Sequence, residues 1–193
     1  MAGEDIRRQA EEMIGQIIAD RYRLDAVLGL GGTGVVYRAT SLEDDSPCAL
    51  KTIRSDLAHE RAISRFFRGA RLASGLDHPG LVQTIAFGKS KGQNGTPFQV
   101  MPLVEGPSWG EVDRTKLSPA QVLWMGCQVL DALAYVHARG VLHRDIKPAN
   151  ILLERQPDDT WLPRITDFGI AAAFLGDVGD MQITGGNLLV GTP

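Results

Sequence analysis

Apolar positions near the start of the chain fall at helical spacing: Ile6, Ala10, Met13, Ile14, Ile17 and Ile18 would share one stripe, which predicts a short amphipathic helix over 4–18. From 22 to 36 the rhythm becomes a loose alternation broken by Gly29, Gly31, Gly32 and Gly34, the pattern of strand, glycine turn and strand. The polar run SLEDDSP reads as a loop and CALKTI after it as a compact strand. Ile63, Phe66, Phe67, Ala70 and Ala73 then recur near a 3.6-residue period and predict a helix over 59–74 that stops at Gly75. Gly69 sits inside it, at a cost of about 1 kcal/mol relative to alanine. Two further strands, LVQTIAFG and PFQVMPLV, flank the turn KSKGQNGT.

Beyond 105 the pattern turns helical. Ser118 offers an N-cap and Pro119 suits a first helical turn, while Val122, Met125, Val129, Leu133 and Val136 mark one buried face up to Gly140. The switch predicts an N-terminal extension over 1–19, a β-rich lobe over 20–105 and a helical lobe over 106–193, with the boundary in the polar Gly/Pro-bearing segment 105–116. Neither an internal repeat nor a low-complexity tract interrupts this plan.

Composition narrows the classes. The 193 residues are 44% hydrophobic and 22% charged, an ordinary globular balance. Twenty Lys+Arg against 23 Asp+Glu leave a net charge of −3, so no broad basic field exists to hold nucleic acid or an anionic membrane, and any phosphate binding must be local. Cys48 and Cys127 form no CxxC and have no nearby His pair, so neither a zinc site nor a disulfide framework is indicated, and the expectation is two small core hydrophobes in a reducing cytosol. The start, MAGEDIRRQAEEM, lacks an apolar h-region, and the rest of the chain holds no run of about 18 apolar residues, so it encodes no signal peptide or membrane span.

Two motifs carry chemistry. Gly29-Leu30-Gly31-Gly32-Thr33-Gly34 fits GxGxxG, a spacing shared with dinucleotide-binding Rossmann turns. The next three residues, Val35-Val36-Tyr37, favour a strand over the helix a Rossmann turn requires, and predict a flap whose backbone N–H groups approach phosphates. His143-Arg144-Asp145-Ile146-Lys147-Pro148-Ala149-Asn150 fixes five functional residues at set offsets, a pattern arising by chance roughly once in a few million starts. Asp167-Phe168-Gly169 comes after it in the chain, and Ala49-Leu50-Lys51 precedes it.

In this order the set resembles the eukaryotic-like (Hanks-type) protein kinases, in particular the bacterial serine/threonine kinases, from about Asp20 to the last residue. Lys147 is similar to the serine/threonine class. The resemblance implies an α+β, two-lobed protein-kinase-like fold and transfer of the γ-phosphoryl group of ATP, with Mg2+, to serine or threonine hydroxyls of protein substrates. Lys51 would hold the α/β-phosphates, Asp145 would orient the acceptor hydroxyl and take its proton, and Lys147 would steady the γ-phosphate. By the same resemblance Asn150 and Asp167 would supply the oxygen ligands that hard Mg2+ prefers. ATP would lie among Leu28, Gly29, Gly31, Gly32, Gly34, Val36, Ala49, Lys51 and Leu152, with Met101 as gatekeeper. The Pro102 carbonyl and the Val104 N–H would be the hinge groups, because proline has no N–H to donate. His143 reads as a core histidine packed on Phe168. Arg144 beside Asp145 implies control by a phosphate on the activation segment, with Thr184 as the candidate acceptor and Thr192 as a brace for the catalytic loop.

Two departures qualify the resemblance. Counted back from His78-Pro79, the family's helix glutamate falls on Gly69, and no acid lies between Arg65 and Ala73. The chain also stops at Gly191-Thr192-Pro193, within the activation segment, so the helical lobe is expected to be incomplete and the kinase weakened. The rival readings are an ATP-binding pseudokinase scaffold and, remotely, a Rossmann dinucleotide oxidoreductase, which explains neither HRDIKPAN nor DFG. A cytoplasmic protein with ATP, protein substrates, a kinase dimer and no nucleic acid among its partners is the expectation.

Overall fold

The computed structural model describes residues 2–32, 34–90 and 95–167. These divide into two compact units, one taking 2–67 and 84–103 and the other 68–83 and 104–167.

The first unit contains α1 (Ala2–Glu12), β1 (Ile17–Ile18), β2 (Tyr22–Leu30), β3 (Gly34–Ser41), β4 (Pro47–Ile53), β5 (Ala86–Lys89) and β6 (Pro97–Pro102). Its strands form one six-stranded sheet in the order β1-β2-β3-β4-β6-β5, every neighbouring pair antiparallel. Alternate residues of a strand face opposite sides. Val35, Tyr37 and Ala39 of β3 therefore bury with Cys48 and Leu50 of β4, and with Leu24, Phe98 and Val100, in one core cluster. Complete burial of a side chain such as Leu50 is worth about 1.5–3 kcal/mol.

The predicted helix over 4–18 is shorter than its periodicity implies. Gly15 adopts φ 85°, a left-handed conformation that ends helical propagation, and its N–H donates to the Leu24 carbonyl at 2.7 Å. The chain turns there, and Ile17 and Ile18 pair with Arg23 and Tyr22 as β1. Ala10 of α1 is buried in the sheet's core cluster, with Met13 packed against it. The strand expected over 81–88 is likewise only partly formed, because β5 starts at Ala86 and Leu81 makes a single parallel bridge to Ile165.

The helix α2 (Glu60–Ser74) is continuous across the division of the chain at 67/68. The second unit adds α3 (Pro119–His137) and the hairpin of β7 (Ile151–Arg155) and β8 (Trp161–Ile165). A reciprocal cap starts α3: the Gln121 N–H donates to Ser118 Oγ at 3.2 Å and the Ser118 N–H to Gln121 Oε1 at 2.8 Å, with Pro119 in the first turn. Met125, Val129, Ala132 and Val136 are its buried stripe. Val122, expected in that stripe, is 41% exposed: it lies one turn earlier, where little among the described residues covers it.

Segment 68–83 belongs to this second core. Ala73, Leu76 and Leu81 cluster with Met125, Ala132, Leu153 and Ile165. The Val82 N–H donates to the Ile165 carbonyl and the Ile165 N–H to the Gly80 carbonyl, both at 2.8 Å. His78 Nδ1 accepts from the Gly80 N–H at 3.0 Å, so Nε2 carries the proton and donates to Asp131 on α3 at 3.2 Å. A Cβ on Gly80 would stand 2.9 Å from that of Ala132, which is why glycine suits this close approach.

Of the two cysteines, Cys48 is a core residue whose thiol burial pushes up to about 11, whereas Cys127 is exposed on α3, contrary to the expectation that both are buried. Burial on a helix depends on which face finds a partner, and Cys127 lies off the stripe that does. Among the described residues no helix is long and apolar enough to cross a membrane.

Candidate functional site

In the first unit, strand register assembles the predicted nucleotide residues on the sheet face opposite the core. Val36 pairs with Lys51, Lys51 with Gln99, and Ala49 with Met101, whereas Tyr37, Leu50 and Val100 form the alternate row that enters the core. Lys51 is 8% exposed and Met101 is buried. Lys51 is not without a polar or charged partner, so the absence of an acid from the middle of α2 does not leave its ammonium bare. Gly69 itself is buried on that helix.

The glycine turn between β2 and β3 is closed by the Gly31 N–H donating to the Gly34 carbonyl at 2.8 Å. A Cβ on Gly34 would run into the carbonyl oxygen of Thr52, so no other residue fits there without a shift. Positions 29 and 32 differ: a Cβ there would meet nothing within 4 Å, which leaves their backbone open to approach. The turn leads into a strand and not a helix, which overturns the Rossmann alternative. Leu28 is half exposed just before the turn, and Pro102 is exposed at the end of β6, paired with Cys48.

In the second unit Asp145 is held from three directions. Lys147 Nζ donates to its Oδ2 at 2.8 Å, and Asn150 Nδ2 donates both to that oxygen at 2.9 Å and to the Asp145 carbonyl at 2.7 Å. The Asp145 N–H donates to His143 Nδ1 at 3.3 Å. With Nδ1 an acceptor, His143 Nε2 must carry the proton, which it donates to the Thr166 carbonyl at 2.8 Å. The short 3₁₀ turn Pro148–Asn150 brings the amide of Asn150 back to Asp145, and the Thr166 N–H closes the arrangement on the Asn150 carbonyl at 3.0 Å.

Electrostatics follows from these bonds. The Lys147 hydrogen bond, followed by that of Asn150, holds the Asp145 carboxyl below its usual range despite partial desolvation. Burial keeps His143, 1% exposed, below the ordinary histidine value and therefore neutral, as a core histidine rather than a base. Arg144 and Asp167 both take left-handed φ, 60° and 69°, a region that non-glycine residues seldom visit. Asp167, Leu152 and Val104 are half-buried. Thr33, Phe168, Gly169, Thr184 and Thr192 lie outside the described residues.

Sequence reasoning missed two participants. Thr166 acts through its backbone, which no side-chain motif reports. Gln99 stands opposite Lys51 and donates from Nε2 to Thr84 Oγ1 at 2.7 Å; the period of two, counted back from Met101, is the signal that would have placed it on this face.

Comparison with known proteins agrees with this geometry. The chain is 35% identical over 186 residues to the serine/threonine-protein kinase pkn3 of Myxococcus xanthus, covering 95% of this chain and 34% of that protein. It is 34% identical over 181 residues to the serine/threonine-protein kinase PknB of Mycolicibacterium smegmatis, covering 92% and 28%. The chain thus spans about a third or less of the length of these relatives. The crystal structure of the Mycobacterium tuberculosis PknI kinase domain superposes with a TM-score of 0.66 at 30% identity, covering 82% of this chain and 63% of that one. The protein kinase domain family model matches residues 22–187, and with the sheet, the glycine turn and the catalytic loop all in the family's arrangement, the chain belongs to the protein kinases.

Proposed function

We propose that this chain transfers the γ-phosphoryl group of ATP to serine or threonine hydroxyls of protein substrates, with Mg2+ as the metal. The observation that carries the reading is the hold on Asp145: an ionised, half-buried carboxylate fixed by Lys147 and Asn150 while its own N–H is anchored on His143. A carboxylate so held would orient an incoming hydroxyl through a hydrogen bond and accept its proton as the hydroxyl oxygen bonds the γ-phosphorus and the bond to the β-phosphate breaks, releasing ADP. Lys147, with its ammonium already beside that oxygen, is placed to move from Asp145 to a phosphoryl oxygen as negative charge accumulates there.

The residues fit the nucleotide and the metal. Gly29 and Gly32 face open space, a cradle that side chains would fill. Lys51 would hold the α/β-phosphates on the face it shares with Val36, Ala49 and Met101, with Leu28 and Leu152 as apolar cover and the Pro102 carbonyl and Val104 N–H for the adenine edge. Asn150 spends its Nδ2 hydrogens on Asp145, which leaves Oδ1 to join Asp167 as a hard oxygen donor for the cation. When bound, Mg2+ neutralises phosphate charge. The net charge of −3 supports proteins rather than nucleic acids as acceptors, the ATP requirement supports a cytoplasmic setting, and a second kinase copy is a partner of the same reading.

Incubation with γ-labelled ATP, Mg2+ and a mixed protein acceptor tests this. Label on serine and threonine that disappears in Asp145→Asn is the expected result. Stabilisation by ATP·Mg without any transfer would replace the kinase by a nucleotide-binding scaffold.

A further inference from the structure

The middle of α2 carries a feature that phosphoryl transfer does not use. Arg61, Arg65 and Arg68 stand at i, i+4 and i+7, so their side chains rise from one face, and all three are exposed. Along the helix axis they span about 10 Å. Glu60 is the helix's only acid, and a protein of net charge −3 thus concentrates positive charge on one short surface.

Their pairing sets them apart. Several arginines elsewhere are matched with carboxylates, Arg7 with Glu11, Arg8 with Asp5, Arg23 with Asp25, Arg54 with Asp56, Arg155 with Asp159 and Arg164 with Glu154, and Arg139 stacks on Tyr135. Among the described residues, Arg61, Arg65 and Arg68 bond no carboxylate and stack on no ring. Guanidinium groups are well suited to bidentate recognition of carboxylates, and three on one face make an unmatched acceptor for negative charge. Nothing in helix formation asks for them, since lysine, glutamine or glutamate would serve there as well.

We propose that this arginine face is a docking surface for an acidic segment of a partner polypeptide, one with aspartate or glutamate at every second or third position. Extended chain advances about 3.3 Å per residue, so four or five residues of such a segment set two or three carboxylates over the three guanidinium groups. The size of the patch favours a peptide over larger polyanions. Three arginines match only a few phosphates, whereas nucleic acids and anionic membranes present long arrays that the protein's net negative charge repels.

The test is binding, read without ATP, so it stands apart from the outcome for phosphoryl transfer. A fluorescent decapeptide of alternating glutamate and serine is titrated with the full chain by anisotropy. The expected result is saturable binding that weakens with added salt and falls about tenfold in the triple variant Arg61→Ala, Arg65→Ala, Arg68→Ala. A charge-matched control, Arg7→Ala, Arg8→Ala, Arg155→Ala, removes three paired arginines and should bind as the parent does. Circular dichroism of both variants checks that α2 and the fold persist. Equal weakening in the two triple variants, no binding by the parent, or tighter binding of a DNA duplex or phosphatidylserine vesicles than of the peptide overturns the proposal.

Discussion

The Asp145 backbone N–H donates to His143 Nδ1, and that one bond decides the tautomer of a histidine whose other nitrogen reaches the Thr166 carbonyl. A buried imidazole thereby pins the loop carrying the carboxylate to the strand end that leads to Asp167. His143→Leu keeps the volume but strands one donor and one acceptor, and should cost about 2 kcal/mol or more in chemical denaturation. An unchanged midpoint would mean that water replaces both bonds.

The same residue predicts a pH dependence. Burial lowers the His143 pKa, so unfolded chains take up a proton at a pH where native chains do not. The stability held by neutral His143 is complete above about pH 6.5 and is lost as pH falls through the depressed native value. Melting temperature should therefore decline on the acid side of neutrality more steeply in the parent than in His143→Leu; parallel declines would refute the assignment.

If Asp145 has the role proposed for it toward the acceptor hydroxyl, Asp145→Asn should reduce phosphoryl transfer by about a hundredfold to ten-thousandfold and leave ATP·Mg binding nearly intact. Lys147→Ala removes the strongest influence lowering the Asp145 pKa, so that pKa rises toward the ordinary carboxylate range. The acid limb of its pH–rate profile should move to higher pH. A limb that stays in place would assign the titration to another group.

Asp167→Asn removes an anionic oxygen at the proposed metal position. Calorimetry should show ATP affinity in Mg2+ reduced, with affinity for ATP alone hardly altered. Equal losses with and without the metal would make Asp167 a structural residue instead.

Two glycines of the turn separate folding from binding. Gly34→Ala forces a methyl group against the Thr52 carbonyl and should destabilise the fold by about 1–3 kcal/mol. Gly32→Ala places its methyl in open space, so the melting temperature should barely change while ATP affinity falls. Loss of stability in both variants, with no separate effect on ATP, would reduce the turn to a hairpin connection.

Features with local causes were legible in the sequence. Ser118, Pro119 and Gln121 start α3 because a cap needs only residues a few positions apart, and the glycine turn and CALKTI announced β2, β3 and β4 in the same way. The catalytic loop was legible for a related reason: Asp145, Lys147 and Asn150 lie close enough in sequence for one turn to bring them together. What depended on distant partners was not. Ile17 and Ile18 fit a helical stripe until Gly15 and the edge of β2 drew them into a strand, and the hairpin of β7 and β8 was not predicted at all. Periodicity put Val122 in the buried stripe, whereas the structure leaves it exposed and covers Ala132, and the lack of any cysteine motif had Cys127 buried. Leu81 looked like strand, yet it joins the second core because Gly80 and Val82 bond the Ile165 backbone. Short-range bonds are written in neighbouring residues, whereas burial is decided by whichever surface the rest of the chain brings to meet them.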